Sequence, residues 1–148
     1  MVFCCVSCST TKLGPKETKY HLAYAPNSVE ISPLSRLRNS RDPDKKGLII
    51  VHVKFKDGDD FACRAIGLLH VSLTDVGGNS VVTETISLDD PDVNRQYFDS
   101  VTRTYRIDID KDPTNLTQTT VRATFASTDE NPIRSKSYII QNTEESAR

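Results

Sequence analysis

Three acidic clusters hold the densest sets of hard oxygen ligands in the chain: Asp57-Gly58-Asp59-Asp60, Asp89-Asp90-Pro91-Asp92 and Asp108-Ile109-Asp110-Lys111-Asp112. Carboxylates grouped in this way suit calcium, which prefers roughly six to eight oxygen ligands. The third cluster opens like an EF-hand loop. Yet Pro113 stands where that loop needs Gly, and Thr119 stands where it needs a bidentate Glu. An EF-hand is therefore excluded. A looser calcium site between loops stays open, with Asp57, Asp59, Asp60, Asp108, Asp110 and Asp112 as its candidate ligands. Plain turn chemistry explains the same residues, because Asp and Gly favour turn geometries. The histidines are His21, His52 and His70. His52 and His70 are expected to point outward on separate strands, and to share a face if those strands pair. Two imidazoles without a third ligand do not make a zinc site. No nucleophile elbow, phosphate-binding loop or dinucleotide fingerprint occurs. The carboxylate pairs all fall in turns, so the expectation is no catalytic set, no enzyme and no cofactor.

Cysteine is the other reactive type, and three of the four cysteines crowd into Met1-Val2-Phe3-Cys4-Cys5-Val6-Ser7-Cys8. Cys5-Val6-Ser7-Cys8 resembles a bacterial lipobox. Small residues before the last Cys admit a signal peptidase, and lipidation of the Cys8 thiol would then anchor the chain. Cys5 replaces the usual Leu. The stretch is also short, since a signal needs a basic n-region and an apolar segment of about 7–15 residues. No Lys or Arg precedes Lys12, so a true start upstream of Met1 is expected. Three other readings stay open: palmitoylation of Cys4, Cys5 and Cys8, half of a zinc ligand set, and no role at all. Cys63 stands apart, between Ala62 and Arg64. It reads as a small, buried, apolar side chain rather than a nucleophile. Asn115-Leu116-Thr117 matches a glycosylation sequon, which matters only in a eukaryotic secretory route.

These residues must be positioned by strands. Residues 9–27 are rich in Ser, Thr, Lys, Gly and Pro, and read as a disordered tether. Tyr20, Leu22 and Tyr24 alternate near its end as a short edge segment. Val29 and Ile31 alternate next, and Pro33 confines this run to an edge. Leu48–Phe55 has the clearest two-residue period. It puts Ile49, Val51, Val53 and Phe55 on the core side and Leu48, Ile50, His52 and Lys54 on the other. Further strands are expected over 67–75, 80–88, 103–109, 119–127 and 134–140. Val76-Gly77-Gly78-Asn79 is a hairpin signal. Between Asp89 and Ser100 one helical turn is expected, with Tyr97, Phe98 and Val101 packing down as a cap. The sum is an all-β chain: an antiparallel β-sandwich of about seven strands over 28–140, with a polar tail over 141–148.

Bulk properties set the outer bounds. The chain has 148 residues, 19 basic and 20 acidic, for a net charge of −1. A nucleic-acid binder needs a surplus of cations, so that class is disfavoured. Residues 1–46 hold eight of the basic side chains against four acids. This mildly basic front suits an anionic membrane surface, or simply a solvated tail and loop. No apolar run approaches the roughly 20 residues of a membrane-spanning helix. Five Phe, five Tyr and no Trp make a poor sugar-stacking face.

Four segments carry a resemblance. They are Val29-Glu30-Ile31-Ser32-Pro33-Leu34-Ser35-Arg36-Leu37, Leu48-Ile49-Ile50-Val51-His52-Val53-Lys54-Phe55, Gly67-Leu68-Leu69-His70-Val71-Ser72-Leu73 and, most specifically, Tyr97-Phe98-Asp99-Ser100-Val101-Thr102-Arg103-Thr104-Tyr105-Arg106. The chain from Val29 to Ile140 is similar to a recurrent planctomycete-type family of uncharacterised lipoproteins. The resemblance implies an immunoglobulin-like or transthyretin-like sandwich at the cell envelope, in the bacterial periplasm or at the outer membrane. It implies Cys8 as the lipid site and no activity. The expected partners are the membrane, through the anchor, and an envelope protein. The competing expectation is a calcium-stabilised domain that binds a ligand, such as a carbohydrate.

Overall fold

The structure, a computed structural model, describes residues 25–38, 47–111, 116–127 and 131–141. In chain order its elements are β1 (Ser28–Ile31), β2 (Arg36–Arg38), β3 (Leu48–Lys56), β4 (Ala62–Cys63), β5 (Leu68–Thr74), β6 (Ser80–Ser87), α1 (Pro91–Tyr97), β7 (Phe98–Asp99), β8 (Thr104–Ile109), β9 (Gln118–Ala126), β10 (Ile133–Arg134) and β11 (Tyr138–Gln141). They form two antiparallel sheets packed face to face. Sheet A runs β1-β3-β8-β7, with β2 and β4 also on β3. Sheet B runs β10-β9-β5-β6, with β11 also on β9. The chain steps between the two sheets after β4, β6 and β8, so the strands of each sheet are not consecutive in sequence.

The alternation that defines each strand also builds the core. Ile49, Val51, Val53 and Phe55 of β3 meet Leu69, Val71 and Leu73 of β5, and Val121, Ala123 and Phe125 of β9. Tyr105, Ile107 and Ile109 complete the sheet A layer. Phe55 is the hub. Its ring lies edge-on to Tyr105 at 5.5 Å and to Phe125 at 4.9 Å, which ties the two sheets together.

Two edge strands are interrupted, each by the same device. Ile31 pairs with Val53, but Arg36 pairs with Ile50, so the β1–β2 edge carries two surplus residues around Pro33 and Leu34. The His52 N–H then lacks a regular ladder partner, and the Ser35 hydroxyl accepts its hydrogen bond at 2.9 Å. Opposite, a one-residue shift separates β10 from β11 along β9. There the Ser135 hydroxyl accepts from the Ala123 N–H at 2.9 Å. A serine side chain thus replaces a missing carbonyl at both breaks.

Helix α1 crosses between the sheets. Asp90 caps it, accepting from the N–H groups of Asp92 and Val93, and Pro91 starts the first turn. Gly67 closes the same end. Its φ is +148°, and an added Cβ would lie 2.4 Å from the Ala126 carbonyl oxygen and 2.9 Å from the Phe125 ring.

Several expectations are corrected. Ile50 and His52 sit on the outer side of β3, yet both are buried. Alternation gives the direction of a side chain; its neighbours decide whether water reaches it. Val101 does not pack down. It is 91% exposed, at the tip of a turn in which the Asp99 carboxylate accepts from the Val101 and Thr102 N–H groups. Tyr97 and Phe98 do pack against the core. The strands β2, β4 and β7, of two or three residues each, are too short for a two-residue period to mark them. Residues 9–24 of the expected tether, which include the Tyr20–Tyr24 segment, and the tail beyond Gln141 lie outside the described residues, whereas the Asn27 N–H, at the tether's end, donates to the Lys56 carbonyl at 2.8 Å.

Candidate functional site

The richest polar constellation lies on the outer side of sheet A, where three strands converge on His52. Its backbone N–H meets Ser35 from the broken edge. Its Nδ1 lies 2.8 Å from the Thr104 hydroxyl on β8, and that hydroxyl lies 2.8 Å from the Thr102 hydroxyl. Arg106 stands directly across from His52 in the ladder, while Arg36 and Asp108 flank Ile50 on either side. Burial depresses the His52 pKa, and the nearby Arg106 and Arg36 cations depress it further. Asp99 and Asp108 oppose them. Neutral imidazole is therefore the favoured form, held between a hydroxyl and a backbone ladder. Thr104 is buried, so this Thr–His pair offers no accessible nucleophile. Its geometry fixes β3 against β8.

A second buried network sits under α1. Asn94 Nδ2 donates to the Ala65 carbonyl at 2.7 Å and the Leu88 carbonyl at 2.9 Å. The Tyr105 hydroxyl donates to Asn94 Oδ1 at 2.9 Å and accepts from the Ala65 N–H at 3.0 Å. Burial raises the Tyr105 pKa, partly offset by the hydrogen bonds to Ala65 and Asn94. The phenol stays protonated and acts as a clamp between the strand β8, the helix and the β4–β5 connection. Sequence reading passed over Ser35, Thr104, Asn94 and the Tyr105 hydroxyl as site residues. Asn94 carries the weakest signal, because it sits in a short helix whose other polar residues face water.

The acidic candidates fall into separate places. Asp57 is buried and its Oδ1 accepts from the N–H groups of Asp59 and Phe61, which folds the β3–β4 turn. Asp60, at φ +67°, pairs with Lys56 at 3.2 Å, and Lys56 also reaches Glu30. Asp108 accepts two hydrogen bonds from the Arg106 guanidinium. Ile109 pairs with Ile49, whereas the Asp57 turn follows Lys56 at the opposite end of β3. At about 3.3 Å per residue these loops lie about 25 Å apart, so they cannot share one ion. Asp110 is exposed at the far end, and Asp112 lies outside the described residues. Among the described residues, no group of three His, Cys, Asp or Glu side chains is placed to hold a metal.

The two strand histidines do not meet. His52 belongs to sheet A and His70 to sheet B, where His70 Nδ1 lies 2.9 Å from the Thr85 hydroxyl. Cys63 is half-buried beside the core, and desolvation followed by the nearby Asp57 charge raises its thiol pKa. A raised pKa disfavours the reactive thiolate. Cys4, Cys5, Cys8 and Asn115 lie outside the described residues. No helix among those residues is long and apolar enough to cross a membrane. No protein-family model and no curated protein matches the chain, so the resemblance to envelope lipoproteins rests on the quoted segments.

Proposed function

We propose that the chain is a non-catalytic cell-envelope lipoprotein, an interaction or scaffold module held to a membrane through lipid on Cys8. The observation that carries this reading is the order of parts in the sequence. A lipobox-like Cys5-Val6-Ser7-Cys8 is followed by a polar stretch to Asn27 and then by a sandwich that begins at Ser28. A linker of about 20 residues spans roughly 25 Å as a flexible coil, enough to hold such a domain clear of headgroups. A single acyl chain anchors only marginally, so stable attachment needs the several chains of a bacterial lipoprotein. The buried polar groups support a structural module, since His52, Thr104, Asp57, Asn94 and Tyr105 all bind neighbouring strands or turns.

Expression of the gene from its own genomic locus, followed by membrane fractionation, tests the proposal. Wild-type protein is expected in the membrane fraction with a lipid-modified N-terminal Cys8 by mass spectrometry. Cys8→Ala is expected in the soluble fraction. Unchanged membrane association of Cys8→Ala overturns the anchor.

A further inference from the structure

The outer faces of the two sheets carry their charges differently. Directly paired residues lie on the same side of a sheet, so the register assigns each face its side chains. On sheet A cations and acids are interleaved: Lys56 pairs with Glu30 and Asp60, and Arg106 pairs with Asp108. On sheet B the outer face holds Arg122, Arg134 and His70 and, among the described residues, no acid. The acid in these strands, Glu84, stands opposite the buried Val71 and so belongs to the core side.

These three side chains surround Thr124. Arg134 and His70 stand directly across from it on the two flanking strands, about 5 Å away, and Arg122 lies two residues along β9 on the same face. Arg122 and Arg134 are therefore diagonal neighbours, about 7–8 Å apart. Neither pairs with an acid among the described residues, and two cations so placed repel until an anion lies between them. Neutral partners hold two of the three groups and leave donors free. Arg122 Nε donates to the Ser137 hydroxyl at 2.6 Å, which leaves the terminal nitrogens of the guanidinium for a ligand. His70 Nδ1 lies 2.9 Å from the Thr85 hydroxyl, and when that hydroxyl donates, Nε2–H is the free donor.

We propose that the outer face of sheet B binds an acidic polysaccharide, whose carboxylate or sulfate groups are taken between Arg122, Arg134 and His70 above Thr124. Guanidinium groups match such oxyanions with charge-assisted, two-pronged hydrogen bonds. Hydroxyls extend the face beyond the cations: Thr83 and Thr85 on β6, Ser72 and Thr74 on β5, and Thr120 on β9. They can donate to and accept from the hydroxyls of a sugar chain. No aromatic side chain lies on this face among the described residues, so nucleic-acid bases have nothing to stack on. Two guanidinium groups also fall short of what a phosphate backbone needs. The polysaccharide is the partner class of the interaction module proposed above, and its choice over other polyanions rests on that reading.

Calorimetric titration of the full chain in its Cys8→Ala form, at low salt, tests the face without the lipid, so a failed anchor and a failed face are read apart. Dextran sulfate and polygalacturonate are the probes, with neutral dextran and single-stranded DNA as comparisons. Binding to at least one acidic polysaccharide is expected with a Kd on the order of 100 µM, weakening as salt rises. Arg122→Gln and Arg134→Gln are each expected to weaken it about fivefold, and the double variant at least tenfold. Lys54→Gln, on the outer side of sheet A, removes the same charge and is expected to bind like the parent. Amide shifts on titration are expected at His70, Ser72, Arg122, Thr124 and Arg134. Both arginines are exposed, and a circular dichroism spectrum confirms the fold of each variant. Absence of binding to both acidic polymers overturns the proposal. So does equal binding of neutral dextran or of DNA, a loss in Lys54→Gln as large as in the arginine variants, or amide shifts confined to other strands.

Discussion

Asn94→Ala tests how much the network under α1 contributes. The change strips the donors from the Ala65 and Leu88 carbonyls and the acceptor from the Tyr105 hydroxyl. An orphaned buried polar group costs about 1–3 kcal/mol. Three would set a ceiling near 9 kcal/mol. Relaxation lowers it, because the Tyr105 hydroxyl has a second acceptor in the Ala65 carbonyl at 3.4 Å, and α1 is short enough for water to reach one carbonyl. A loss of about 2–4 kcal/mol is expected. For a domain of this size that lowers Tm by roughly 8–16 °C. The chain has no Trp, so tyrosine fluorescence and circular dichroism follow urea unfolding without interference. Tyr105→Phe and the double variant complete a cycle, with an expected coupling of about 1 kcal/mol or more. A loss below about 0.5 kcal/mol for Asn94→Ala, or strictly additive changes, would refute the network as a stabilising unit.

Two further changes probe the frame. Gly67→Ala drives a methyl into the Ala126 carbonyl and the Phe125 ring at a left-handed φ, so a loss of about 2–4 kcal/mol is expected in thermal melts; a neutral result would show that the β9 end yields. His52 has a folded pKa lowered from 6.5, so the unfolded chain binds the extra proton, and stability falls as pH drops below about 6.5 toward the lowered value. His52→Gln is expected to flatten Tm between pH 7.5 and 5; an unchanged pH slope counts against a buried neutral imidazole.

The inner layer was legible because one physical cause dominates it. A sheet with one buried face imposes a two-residue period, and Ile49 through Phe55, Leu69 through Leu73 and Tyr105 through Ile109 obey it. Pro33 announced an edge for an equally local reason. The polar networks were illegible because their partners are far apart in sequence. Ser35 and His52 are 17 residues apart, His52 and Thr104 are 52 apart, and Tyr105 and Ala65 are 40 apart. No window of the sequence contains both ends of such a bond. The acidic clusters misled in the opposite sense. Asp57 and Asp108 look alike in sequence, but the turn that Asp57 builds and the arginine that Asp108 grips lie at opposite ends of one strand.

That contrast bears on where a function can reside. A buried polar group that meets all its partners stabilises the fold, and its removal is read in stability. His52, Asn94, Tyr105 and Asp57 are of this kind, since each joins backbone or side chains from elements that would otherwise separate. These four side chains act as struts, and a substitution at any of them is expected to be read first in the stability of the sandwich.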